Sequence, residues 1–136
     1  MNYSTRSNAL NQYRQVNVHG TVSEASPYQL VQMLFQGALD RISMAKACIA
    51  EKDIPAKAEH ITKALNIVGE LRGSLDLKVG GELAENLDNL YEYMSRRLVE
   101  ANLGSDVAIL NEVASLMGEI KSAWDAIPVD QRAPQR

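Results

Sequence analysis

Four stretches of helically spaced apolar residues, each bounded by capping residues or breakers, run through this 136-residue chain, and no stretch alternates as a strand would. Ser26-Pro27-Tyr28-Gln29 has the order of a helix start: a serine able to cap free N–H groups, a proline suited to the first turn, and a glutamine placed to complete a capping box. The next strong punctuation is Glu51-Lys52-Asp53 followed by Pro55, then Gly80-Gly81, then Gly104-Ser105-Asp106, and finally Pro128. The spacing predicts helices over about 27–50, 54–78, 82–103 and 106–127. Connections this short force sequence neighbours to run antiparallel, so the fold expected is all-α, an up-down four-helix bundle over 26–127. Residues 1–25, rich in Asn, Gln and Ser, are too sparsely apolar for a core of their own, and 128–136 reads as a disordered tail with nothing to bury.

A chain of this length can bury roughly 68% of the surface its unfolded form exposes, enough for a core without staples. Its one cysteine permits no internal disulfide, and the opening MNYSTRSNAL lacks the apolar stretch of a secretory signal, so a cytoplasmic protein is expected. No apolar run approaches the ~20 residues needed to cross a bilayer. A net charge of −3 supplies no general attraction to phosphate backbones. Neither membrane insertion nor nucleic-acid binding is expected.

The helices differ in how much of their circumference is apolar. The third helix carries Leu83, Leu87, Leu90, Tyr91, Met94, Leu98 and Ala101 in an arc of about 120°, the width of one buried face, while the second and fourth cover about 180°. The first helix, from Leu30 through Phe35, Leu39 and Ile42 to Ile49, covers about 240°, more than two neighbours ordinarily hide. The surplus is expected on Phe35, Leu39 and Ile42 along one flank, or on Met33 and Met44 along the other. A skewed bundle could bury it, residues 1–25 could cover it, or another chain could, a second copy included. Leu10, Tyr13, Val16 and Val18 are spaced for intermittent contact, which suits a displaceable lid.

Catalytic machinery is not legible. Cys48 with His19 or His60 is the available nucleophile pairing, but Cys48 sits on the apolar side of its helix, where a packed thiol is the simpler reading. No metal spacing, glycine-rich phosphate loop or other cofactor motif occurs, so no cofactor and no enzyme are expected. His60-Ile61-Thr62-Lys63-Ala64 resembles the His-x-x-Lys-Gly of histidine phosphotransfer domains, with Ala64 where that family has Gly. Arg41 and Arg72 project from the middle of apolar arcs, which requires that their stems snorkel or that their heads meet acceptors, in a partner or in the bundle.

The stretch Gly80-Gly81-Glu82-Leu83-Ala84-Glu85-Asn86-Leu87-Asp88-Asn89-Leu90-Tyr91-Glu92-Tyr93-Met94-Ser95-Arg96-Arg97-Leu98 resembles the signature of the FliS family of flagellin export chaperones. So do Ala25-Ser26-Pro27, Met33-Leu34-Phe35-Gln36-Gly37-Ala38, and Tyr13 with its spaced valines. The likeness runs from about Ala9 to Ile127; Gln36 stands where many members carry an acid, and the C-terminal tail has no family pattern. The resemblance implies a cytosolic, non-enzymatic chaperone that binds the C-terminal segment of flagellin, prevents its premature polymerisation and helps deliver it to the export gate. It also implies that the N-terminal segment occupies part of the client groove and moves aside. The residues expected to meet the partner are Leu10, Tyr13, Val16 and Val18 in the lid, Phe35, Leu39 and Ile42 on the first helix, and Ile109, Val113, Ile120 and Trp124 on the fourth.

Overall fold

The computed structural model describes residues 25–132. Among these, four helices and one short turn of 3-10 helix account for the regular structure: α1 Pro27–Ala50, α2 Ile54–Gly73, α3 Leu77–Gly104, α4 Val107–Asp125 and η1 Val129–Gln131. Helix α1 packs against α2 and α4, and α3 closes the ring by packing against the same two. This is the expected four-helix bundle.

Each helix end has a local cause. At the start of α1, Ser26 Oγ accepts from Gln29 N–H at 3.2 Å and Gln29 Oε1 accepts from Ser26 N–H at 3.0 Å, the reciprocal capping box. At its other end Asp53 N–H reaches Cys48 O and Lys52 N–H reaches Ile49 O, a Schellman pair that obliges Lys52 to adopt φ +62°, a left-handed conformation more usual for glycine. Asp53 then caps α2 by accepting from Ala56 N–H at 3.2 Å.

The second helix ends at Gly73, short of the expected 78. Asp76 is the reason: its carboxylate accepts from both Lys78 N–H and Val79 N–H at 3.1 Å, so the next helical turn begins at Leu77. Gly80-Gly81 then falls inside α3 as a sharp break, with Gly81 at φ 56°, ψ −134°, where only glycine is comfortable. A Cβ placed on Gly80 would lie 2.5 Å from the Ala84 Cβ, so both glycines are needed.

The interior is built from Phe35, Ile42, Ile61, Val68, Leu71, Met94, Leu98, Leu110, Val113 and Met117, all fully buried, each worth roughly 1.5–3 kcal/mol of apolar transfer. Ala38, Ala45, Ala64 and Ala101, also fully buried, allow the helix backbones to approach closely. Burial pushes the Tyr91 hydroxyl up to about 12, which keeps it neutral in the core. Lys57 is buried as well: its ammonium donates to Asn102 O at 2.8 Å and to Ser105 Oγ at 3.0 Å. A cation thus occupies the C-terminal end of α3, where unpaired carbonyls and the helix dipole favour it.

Candidate partner-binding surface

Helix α4 is flanked by two seams, each pinned by polar cross-links. On the α1 side Gln32 Nε2 donates to Asp125 Oδ1 at 2.7 Å and Lys46 Nζ donates to Asn111 Oδ1 at 2.9 Å. Half-buried Leu39 and Ala114 pack on the core in the stretch those bridges bound. On the α3 side the Tyr93 hydroxyl donates to Glu112 Oε2 at 2.5 Å, Arg97 Nε donates to Glu112 Oε1 at 2.9 Å, and Arg97 also pairs with Glu100. The Tyr93 hydroxyl first, and then Arg97, hold the Glu112 carboxyl below its ordinary value.

Leu87 of α3 and Leu116 and Ile120 of α4 pack half-buried on the core. Leu83 continues the α3 row one turn earlier and is 69% exposed. An apolar strip that is neither sealed nor free suits the apolar face of another helix laid along it. Leu83, Leu87 and Leu116 are not among the contact residues expected from the sequence; they lie in apolar arcs, but arc width does not distinguish a rim from a floor.

The expected contact residues separate by depth. Phe35 and Ile42, each 1% exposed, and Val113, fully buried, are interior residues rather than an open flank. The wide apolar arc of α1 is covered because α2 and α4 both close on it across Ala38 and Ala45. What remains outside is the other flank, with Met44 45% exposed and Met33 half-buried. Leu39, Ile109, Ile120 and Trp124 are half-buried and pack against the core from its edge. Leu10, Tyr13, Val16 and Val18 lie outside the described residues. The expected tail also differs over 128–132: η1 returns Arg132 to the bundle, with its guanidinium carbon 3.9 Å from the centroid of the Tyr28 ring.

The polar residues noted in the sequence find acceptors within the bundle. Arg72 Nε donates to Asp88 Oδ1 at 2.6 Å and Nη2 to Oδ2 at 3.2 Å, a two-pronged pair that holds the Asp88 carboxyl low. Arg41 Nη1 lies 3.0 Å from His60 Nδ1, within hydrogen-bonding distance. Desolvation, then Asp53 and Glu51, push the Cys48 thiol up, the reverse of what activates a nucleophile. Among the described residues no helix is long and apolar enough to cross a membrane, and no cluster of three or more His, Cys, Asp or Glu could hold a metal ion.

The family model described as flagellar protein FliS matches residues 9–131. The chain belongs to the FliS family. Among FliS relatives, the flagellar secretion chaperone FliSB of Pseudomonas aeruginosa is 50% identical over 119 residues, covering 88% of this chain and 94% of its own. The flagellar secretion chaperone FliS of Vibrio cholerae is 42% identical over 120 residues, 88% of each chain. That of Bacillus subtilis is 36% identical over 104 residues, 76% of this chain and 77% of its own. These FliS matches give no support to a histidine phosphotransfer role for His60. Within the FliS-like stretch 80–98, the two glycines make the break in α3, while Arg97, with Tyr93, ties α3 to α4 through Glu112.

Proposed function

We propose that this FliS-family chain is a flagellar secretion chaperone, a binding protein rather than an enzyme. It holds the C-terminal segment of flagellin in the cytosol, prevents early polymerisation and brings the segment to the export gate. The observation that carries this reading is the relatives' shared name at up to 50% identity across most of both chains. The physical basis is a helix-in-groove mode, in which a client segment disordered alone folds as amphipathic helices on half-buried apolar strips. Leu39 on α1 and Ile109, Ile120 and Trp124 on α4 supply such edges, with Leu83, Leu87 and Leu116 extending the α3–α4 strip. Phe35, Ile42 and Val113 support these edges from beneath. Residues 1–25, through Leu10, Tyr13, Val16 and Val18, act as a lid that yields to the client.

The test is calorimetric titration with the C-terminal segment of flagellin from the same bacterium, alongside a variant lacking residues 1–20. Binding with a large negative heat-capacity change is expected, because the client buries apolar surface as it orders. Tighter binding by the truncated form identifies the lid as a competitor. Absence of binding to both forms well above micromolar concentration rejects the chaperone reading.

A further inference from the structure

Beyond α4 the chain folds back on itself. Arg132 Nε–H donates to Ile127 O at 3.2 Å, closing the turn locally, and the guanidinium lies over the Tyr28 ring. That ring also stacks on Trp124, with centroids 5.3 Å apart and planes 15° from parallel. Nothing apolar anchors the segment: Val129 is 74% exposed, and Pro128, Asp130 and Gln131 are exposed beside it. What fastens it to α1 is a cation on an aromatic face, a contact that an apolar or aromatic side chain can replace. Its release leaves no charge unpartnered, because Asp125, which Arg132 also attracts from a distance, keeps Lys121 Nζ at 2.6 Å and Gln32 Nε2 at 2.7 Å. Tyr28 itself is buried, so lifting Arg132 uncovers a ring face beside Trp124, at the end of the α4 edge that Ile120 also borders.

We propose that residues 128–132 form a releasable strap which covers the Tyr28 ring while the protein is empty and gives that ring face up to an apolar side chain of the bound client. Strap and client then compete. The inference rests on the chaperone reading, with the C-terminal segment of flagellin as the client.

Three proteins test it: the full chain, the chain ending at Ile127, and full-length Arg132→Ala, each checked for helicity by circular dichroism. Titrated with the flagellin segment, both variants should bind at least threefold more tightly than the full chain. In the full chain, trypsin should cut after Arg132 faster when the client is saturating than when it is absent, read by mass of the released C-terminal peptide. Unchanged or weaker binding by the variants, or a cleavage rate indifferent to client, overturns the strap while leaving the chaperone reading intact. If the shortened chain misfolds, Arg132→Ala and the cleavage rate decide. Absence of binding by all three proteins overturns the chaperone reading and the strap with it.

Discussion

Tyr28 and Trp124 hold each other by two reciprocal hydrogen bonds across the ends of α1 and α4: the Tyr28 hydroxyl donates to Trp124 O at 2.8 Å, and Trp124 Nε1 donates to Tyr28 O at 3.1 Å. Their rings stack, and Phe35 lies 6.3 Å from the Trp124 centroid. The pair joins the first turn of the bundle to its last.

Tyr28→Phe keeps the stack and removes one of the two bonds, so it should cost about 0.5–1.5 kcal/mol. Trp124→Ala loses the stack, the second bond and part of the core edge, and should cost about 3 kcal/mol. Urea denaturation followed by circular dichroism checks both, since Trp124, the only tryptophan, cannot report on its own removal.

Lys57 is the next test. Lys57→Met keeps most of the stem's packing and leaves Asn102 O and Ser105 Oγ without their donor, at an expected cost of about 1–3 kcal/mol. Hydrogen exchange should locate the loss in the last turn of α3 and the first turn of α2. A variant as stable as the parent would show that the ammonium contributes nothing net at that helix end.

At Lys52 the direction reverses. Its φ of +62° is a conformation glycine adopts freely, so Lys52→Gly should stabilise the protein by about 0.5–1 kcal/mol once the entropy of the added glycine is subtracted. A raised urea midpoint with an unchanged slope is the expected reading.

Acid should weaken the bundle through Glu112, Asp88 and Asp125, whose carboxyls are held low by Tyr93 and Arg97, by Arg72, and by Lys121 and Gln32 respectively. A folded pKa below the unfolded one adds stability above the unfolded value, and that stability is lost as pH falls through the folded value. The melting temperature should therefore hold from pH 7 to about 5 and decline below it. In Glu112→Gln the acid decline should be shallower, and salt should shrink the difference because these groups are only partly buried.

The bundle itself was legible because caps and breakers are local. Ser26, Pro27 and Gln29 specify the start of α1 within four residues, and the helix begins where they place it. The end of α2 was harder, since Asp76 caps the next turn only if the chain has already broken at Gly73, and the apolar Leu75 and Leu77 continue the helical pattern across the gap. Depth was the least legible quantity. The arc of α1 was correctly wide, but spacing along one helix cannot say how closely two others approach, and Ala38 and Ala45 decided that in favour of burying Phe35 and Ile42. Arg72 and Arg132 were opaque for a related reason: Asp88 and the Tyr28 ring reach them only through the folded chain.

A core already filled by the protein's own side chains has a consequence for turnover. Ile42, Ile61, Leu98, Leu110 and Met117 fill the centre of the described bundle, so a client held along the α4 seams, as proposed, is added to a scaffold that is already packed. On that proposal, departure of the client uncovers edges and leaves the centre untouched, and the vacated protein needs no refolding before the next molecule.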